Sequence, residues 1–308
     1  MLYQMLAAGG VFNIVTARHV ICFDELGRCV PDGGRSGERL RERLERLGVS
    51  DRKVDVVPLG PDTPEEYGFI LDNLNAGPWI TARHAHVFRR MCSSIQRDWG
   101  RGRPLLLKNP WDFGHERRIR ALMPGARFVY IHRNPLHLLS SRYRVLARIL
   151  SHREPYLGLL SRRYDRLARS EFGWRLVSAV CAHAPELLVR WVVDQTAWFA
   201  RRYLRATSAG GDGVRVEIRF EDLCTRPEET MRRVVQFLGA DGACVDYASM
   251  IGPHASSVWP PLAARGDEIV RKLGRYAGAV GYDLPGIVDG CRADGASAVG
   301  VRVAGAAS

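Results

Sequence analysis

Residues 104–150 constrain the fold of this 308-residue chain more than any other stretch. Two short apolar runs, Leu105–Leu107 and Phe128–Ile131, are bounded by proline, glycine and charged residues, which is typical of buried strands. A short helix is predicted between the runs and a longer one after them, where apolar side chains within 138–149 recur at helical spacing. The order strand, helix, strand, helix predicts an α/β fold with parallel strands.

A cation follows each of the two predicted strands. Lys108 comes directly after the first strand, and Arg133 lies at the end of the second. Pro135 is well placed in the first turn of the following helix, where a missing N–H is tolerated. Ligands of parallel sheets bind beyond the carboxyl ends of the strands, and a helix N-terminus beside a guanidinium suits an anion. The sequence therefore predicts an anion site at this edge.

Two sequence blocks resemble one enzyme family. Arg133-Asn134-Pro135, with Ser141 eight positions after the arginine, resembles the 3′-phosphate signature of sulfotransferases that use 3′-phosphoadenylyl sulfate (PAPS). The preceding K-N-P…L-x-x-x-x-P-G-A-R-F-V-Y-I-H is similar to the bacterial branch, and Ile218–Gly239 resembles the second family block. The resemblance covers about residues 1–284. It implies a P-loop-NTPase-like sulfotransferase fold with a central parallel sheet flanked by helices.

The resemblance implies roles for individual residues. Arg133 and Ser141 would hold the 3′-phosphate of PAPS, with Ser140 as a substitute for Ser141. Lys108 would approach the phosphosulfate. Phe220 would stack near adenine, unless it is only the last inward residue of the strand predicted there. The implied reaction moves a sulfonate group from PAPS to a hydroxyl of a small-molecule acceptor, and this activated donor requires no metal.

The general base is not marked by one residue. Family members with a K-T-H signature carry histidine two positions after the lysine, where this chain has Pro110. His84 is our candidate, because it is predicted to share the apolar face of a helix spanning 81–99. Three further residues stay open as alternatives: His19, His115 and Glu116.

Residues 63–66, with the sequence T-P-E-E, have the form of a capping box with proline at the first helical position. They predict a helix that continues through Leu74 and ends at Gly77-Pro78.

Residues 1–290 are predicted to form a single domain. Residues 291–308 are rich in Ala, Gly and Ser without periodicity, and we expect a disordered tail there.

The chain opens with a helix predicted over Met1–Ala8. In the family such a helix follows a strand and an R-S-G-T-T loop that cradles the 5′-phosphosulfate, and no Walker-type motif occurs in this sequence. The G-R-S-G at 34–37 follows a turn and precedes a charged helix, so it is not that loop. We expect a misplaced start codon and a longer protein. The alternative is a catalytically impaired relative that binds without turnover.

The net charge of +12 does not predict a nucleic-acid partner. Only three of the 45 basic residues are lysines, and the arginines are dispersed rather than clustered. No nucleic-acid-binding motif is present. A P-loop kinase relative is the other alternative, but it would need a Mg²⁺-linked hydroxyl and an acidic partner that the sequence does not place.

The seven cysteines are scattered without C-x-x-C or metal-ligand spacing, which indicates reduced thiols and a cytoplasmic protein. No signal peptide or apolar run of about 18 residues is present, so no stable membrane insertion is expected.

Overall fold

A computed structural model describes residues 1–26, 35–52, 58–100, 102–208, 213–240, 245–252 and 258–298. Its strands form two parallel pairs. Strand β1 (Asn13–Ile14) pairs with β2 (Leu105–Leu106), and β3 (Phe128–His132) pairs with β4 (Arg215–Arg219). Within the described residues the two pairs are not hydrogen-bonded to each other, so the expected central sheet is present as two small parallel units.

Helices surround these pairs and make up most of the described chain. They are α1 Leu2–Ala8, α2 Ala17–Ile21, α3 Phe23–Leu26, α4 Arg35–Arg46, α5 Tyr67–Asn73, α6 Ala85–Trp99, α7 Glu116–Leu122, α8 Pro135–Ser151, α9 Pro155–Leu160, α10 Arg162–Arg169, α11 Glu171–His183, α12 Pro185–Thr207, α13 Phe220–Thr225, α14 Pro227–Leu238, α15 Pro260–Ala263, α16 Gly266–Ala279 and α17 Leu284–Ala298. Short 3₁₀ turns span Pro110–Asp112 and Ala248–Met250.

Helix α1 lies across both strand pairs. Its buried side chains Met5 and Leu6 belong to one apolar cluster with Ile14 of β1 and Ile218 of β4. The Tyr3 hydroxyl adds a polar link, because it accepts a hydrogen bond from the Val15 amide (3.0 Å) and lies 3.2 Å from the Leu106 carbonyl oxygen. Helix α1 therefore packs against both strand pairs.

Several boundaries differ from those predicted. Helix α5 begins at Tyr67 rather than inside the T-P-E-E sequence, and α6 begins at Ala85 rather than near Thr81. Strand β4 ends at Arg219, one residue before Phe220. Helix α17 continues to Ala298, past the start of the expected tail, because Leu284 and Val288 anchor its first turns in the core. Residues 299–308 lie outside the described part, and a disordered tail stays a prediction for them.

An aromatic cluster surrounds the end of β3. His132 is 2% exposed, and its Nδ1 lies 2.9 Å from the Tyr276 hydroxyl. Its Nε2 lies 3.4 Å from the hydroxyl of Tyr203, and Phe113 and Tyr130 complete the cluster. Burial lowers the pKa of His132 to about 4, because the charged imidazolium would lose its hydration there.

We predict acid-sensitive stability from His132. The unfolded chain takes up a proton on this side chain below about pH 6.5, whereas the folded chain resists it until about pH 4. The free energy of unfolding should therefore fall by roughly 2–3 kcal/mol as the pH decreases through that window. Chemical denaturation at several pH values measures the slope, and H132N should flatten it. An equal slope in wild type and variant would contradict this assignment.

Candidate active site

Arg133 leaves the carboxyl end of β3 and lies against the start of α13. Its guanidinium carbon is 4.4 Å from the ring centroid of Phe220, within the range of a cation–π contact. The side chain does not face open solvent, because its Nε atom is buried. That Nε has no hydrogen-bond partner within the described residues. A guanidinium donor without an acceptor is a polar group that a bound anion would satisfy.

Phe220 is not the last inward residue of a strand. It is the first residue of α13, where the chain turns out of the sheet. Its ring therefore lies beside the predicted phosphate ligand Arg133.

A carboxylate joins the two strand ends. The Asn134 amide donates a hydrogen bond to Glu221 Oε1 (3.0 Å), and Glu221 Oε2 accepts one from the Tyr282 hydroxyl (2.6 Å). Glu221 belongs to the F-E-D-L sequence of the second family block, whereas Asn134 belongs to the first. The fold thus brings the two blocks into direct contact.

The first amides of α8 are already bonded within the chain. The Asn134 side chain accepts hydrogen bonds from the backbone of Leu136 (3.0 Å) and His137 (3.5 Å), and Pro135 has no N–H. This is an N-cap. The expectation that the helix N-terminus itself supplies anion donors is therefore not supported, and the Arg133 guanidinium is the main donor at this edge.

Ser140 and Ser141 have different surroundings. The Ser140 hydroxyl is fully buried and accepts a hydrogen bond from the Trp259 amide (3.0 Å). Ser140 therefore has a structural partner and is a poor substitute for its neighbour. Ser141 is partly exposed, and its hydroxyl has no hydrogen bond within the described residues. Ser141 follows Asn134 by seven helical residues, about two turns, so the two share a helix face about 10 Å apart along the axis.

His137 lies on the same face between these positions and was missed by sequence reasoning. Burial, followed by the positive charge of Arg133, lowers the pKa of its imidazole. A neutral imidazole can donate or accept a hydrogen bond without repelling the guanidinium. Its spacing of four residues from both Arg133 and Ser141 was the available signal.

Lys108 follows β2 and is held by the residues before α5. Its Nζ lies 2.9 Å from Glu66 Oε1, and its carbonyl oxygen accepts a hydrogen bond from the Tyr67 amide (3.1 Å). The Lys108 side chain is 42% exposed and that of Glu66 is 15% exposed. Lys108 and Arg133 follow strands of different pairs, and no direct contact joins them in the described part of the chain. The sequence did not identify Glu66 as a partner of Lys108.

Glu65 is buried behind this ion pair. Its Oε1 accepts a hydrogen bond from the Tyr156 hydroxyl (2.7 Å) and lies 3.6 Å from the Arg52 guanidinium. Its Oε2 is buried and has no hydrogen bond. Burial raises the pKa of the Glu65 carboxyl, and the charge of Arg52 opposes that shift. Two adjacent carboxylates, one buried and one reachable, thus lie beside Lys108.

The turn after Lys108 is fixed by a buried carboxylate. Asp112 accepts hydrogen bonds from the Tyr67 hydroxyl (2.6 Å), the Asn109 side chain (2.7 Å) and the Ile80 amide (3.0 Å). Gly68 lets α5 approach this turn, because a Cβ there would lie 2.6 Å from the Asn109 Oδ1. The loop that carries Lys108 is therefore rigidly held.

The histidines proposed as general bases contact structural partners. His84 is the residue before α6 rather than part of its apolar face, and its Nδ1 lies 3.1 Å from the Thr81 hydroxyl. His19 is fully buried, with Nδ1 3.0 Å from the Thr16 amide and Nε2 3.0 Å from Asp98. These contacts make His19 a helix-capping residue.

The two remaining candidates also have structural partners. His115 has its Nδ1 2.8 Å from Asp112 Oδ1, and its side chain is 13% exposed. Glu116 is 5% exposed and lies 3.6 Å from the Arg215 guanidinium. Neither contacts Lys108 in the described residues.

Comparisons with known proteins identify the family of this chain. The sequence matches a profile described as "Sulfotransferase family" over residues 1–243. No match was found among the curated proteins compared. The structure is similar to the crystal structure of the sulfotransferase STF9 from Mycobacterium avium, with a TM-score of 0.59 and 13% identity, covering 92% of this chain and 74% of that chain. At this identity the structural likeness supports the fold alone. Because the matched profile spans most of the 308 residues, the chain belongs to the sulfotransferase family.

Proposed function

We propose that this protein transfers a sulfonate group from PAPS to a hydroxyl of a small-molecule acceptor. The observation that carries the proposal is the Arg133 guanidinium, which lies against the Phe220 ring with a buried, unbonded Nε. A cation beside an aromatic face suits a phosphorylated nucleoside, because one group binds phosphate and the other stacks on a base.

Arg133 and Ser141 would hold the 3′-phosphate of the donor, and Phe220 would contact the adenine. Family membership supports a sulfonate donor, and the orphan Arg133 Nε supports an anion at this position. The donor supplies an already activated sulfonate whose leaving group is an anion. Lys108, with a partly exposed ammonium group at the end of β2, is suited to stabilise that developing charge without a metal.

Glu66 is the general base that the geometry favours over His84. Its carboxylate is reachable from solvent and lies beside Lys108, so it could accept a proton from an acceptor hydroxyl close to the transferred group. When Lys108 turns towards an anionic donor, it would release the Glu66 carboxylate for this task.

Finer assignments remain proposals as well. Thiols without a disulfide at Cys22, Cys92, Cys181 and Cys224 support a reducing, cytoplasmic environment. The K-N-P sequence supports the bacterial branch. The alternative function is a sulfotransferase-like protein that binds the nucleotide without turnover, and the Glu66 experiment below separates it from an enzyme.

Arg133→Ala should weaken the binding of 3′-phosphoadenosine 5′-phosphate by roughly 1.5–3 kcal/mol, the scale of a charged hydrogen bond. The loss should be much smaller for adenosine 5′-phosphate, which lacks the 3′-phosphate. Calorimetric titration of both ligands measures this difference, with the exposed Arg120 changed to Ala as control. Equal losses for both nucleotides would remove Arg133 from the 3′-phosphate site. If ATP–Mg²⁺ raises the melting temperature of the wild type and 3′-phosphoadenosine 5′-phosphate does not, the P-loop kinase alternative is favoured.

The adjacent serines provide a matched pair of variants. Ser141→Ala should weaken nucleotide binding by about 1 kcal/mol and leave the melting temperature nearly unchanged, since its hydroxyl has no hydrogen-bond partner among the described residues. Ser140→Ala should lower the melting temperature, because it leaves the Trp259 amide without an acceptor. Nucleotide titration and thermal unfolding of both variants make the test. The reverse result would assign the ligand role to Ser140.

Glu66→Gln should reduce sulfonate transfer roughly 10²-fold or more while donor affinity changes little, because the amide cannot accept the proton. Radiolabelled PAPS with a mixture of phenols, sugars and lipids provides the assay. His84→Ala should retain most of the activity. Loss of activity in His84→Ala with retention in Glu66→Gln would instead make His84 the base. If the wild type binds 3′-phosphoadenosine 5′-phosphate yet labels no acceptor, the binding protein is favoured.

A further inference from the structure

Helices α11 and α12 expose large apolar side chains. Phe172 is 81% exposed and Leu176 56% on α11, while Leu187 is 58% exposed and Trp191 49% on α12. Val180 and Trp198 extend the two rows. Most of the exposed large apolar side chains in the described residues lie on these two helices. Such a concentration marks an interaction surface rather than scattered exposure.

Each row follows one helix face. Phe172, Leu176 and Val180 are spaced by four residues, and Leu187, Trp191 and Trp198 by four and seven. The opposite face of α12 carries Val189 and Val193, which are buried in the core. We call the two outward rows the α11–α12 apolar face.

Positive charge is in excess on this face. Its acidic side chains already have basic neighbours: Glu171 pairs with Arg153, Glu186 lies near Arg265 and Asp194 pairs with Lys272. Arg201 and Arg205 are exposed on the same side of α12 as Leu187 and Trp198, and neither has an acidic partner in the described part of the chain. The face therefore offers free positive charge beside aromatic and aliphatic groups.

This combination favours an anionic lipid surface over a second copy of the chain. Two copies would bring unpaired arginines together, and each carries a net charge of +12. Tryptophan, phenylalanine and leucine beside arginine are instead typical of helices that lie in a membrane interface. No single described helix is long and apolar enough to cross a bilayer. The pair α11 and α12 reaches that apolarity only together and is bent by 93°.

We propose that the α11–α12 apolar face binds peripherally to anionic membranes, with its aromatic and leucine side chains among the headgroups and Arg201 and Arg205 against lipid phosphates. The inference goes beyond the proposed reaction and does not depend on the donor. It also bears on the acceptor, because Arg202, whose guanidinium lies 4.5 Å from the Trp198 ring, bonds the carbonyl oxygens of Trp111 (2.6 Å) and Phe113 (2.5 Å). The face is thereby linked to the turn that follows Lys108.

Vesicle cosedimentation tests the proposal. The full chain is mixed with phosphatidylcholine vesicles, with and without phosphatidylglycerol. The wild type should bind the anionic vesicles, and L187Q/W191Q should lower that binding at least about tenfold, because interfacial affinity scales with buried apolar area. The matched control is L47Q/W79Q, which removes the same residue types from other exposed positions and should bind as the wild type does. R201E/R205E should also weaken binding, and added salt should reduce the wild-type signal.

Each contrary result has a definite meaning. Failure of the wild type to bind anionic vesicles would overturn the proposal, as would equal binding of L187Q/W191Q or equal affinity for vesicles without phosphatidylglycerol. Sedimentation equilibrium tests the alternative that a second copy of the chain binds this face. A wild-type dimer that L187Q/W191Q converts to a monomer would assign the face to a second copy. A monomeric wild type with anionic binding supports the membrane.

Discussion

The parallel register of β3 and β4 determines the candidate site. His132 of β3 pairs with Arg219 of β4, so the next residue of each strand leaves the sheet beside the other. These residues are Arg133 and Phe220, and their cation–π contact follows from the register. The chain ends of parallel neighbours meet at one edge, which is why ligands of such folds bind there. A shift of register by one residue would separate the Arg133 guanidinium from the Phe220 ring. It would also break the hydrogen bond that the Asn134 amide donates to Glu221.

Local patterns predicted the elements that carry this edge, and longer-range contacts decided what local patterns could not. The apolar runs, the helix start at Pro135 and the cations after the strands depend on neighbouring residues, so the sequence was sufficient for them. The T-P-E-E sequence predicted a helix start, but Pro64 bridges to Thr16 and the Glu65 amide donates to the Val15 carbonyl oxygen. These contacts hold the segment extended beside the end of β1. Glu66 consequently precedes α5 as its N-cap residue, and its side chain pairs with Lys108 instead of bonding the helix amides.

The histidines illustrate the same limit. His19 and His115 carry the residue type expected of a general base, yet carboxylates and a helix start use their ring nitrogens. A residue type predicts a possible chemistry, whereas the partners that occupy its polar atoms decide whether that chemistry is available. By this criterion Ser141, whose hydroxyl is unbonded within the described residues, is better placed than Ser140, whose hydroxyl accepts from the Trp259 amide.

The charge at the Arg133 edge depends on how Glu221 is used. This carboxylate is close enough to affect the pKa of His137, and it could have neutralised the guanidinium. Its two oxygens instead accept hydrogen bonds from the Asn134 amide and the Tyr282 hydroxyl. An aromatic face stabilises a cation without using its N–H groups as donors, so Phe220 holds Arg133 in place and leaves its Nε unbonded within the described part of the chain. A direct Arg133–Glu221 ion pair would have competed with any phosphate for the same donors. The edge can therefore be both ordered and positively charged before an anion arrives.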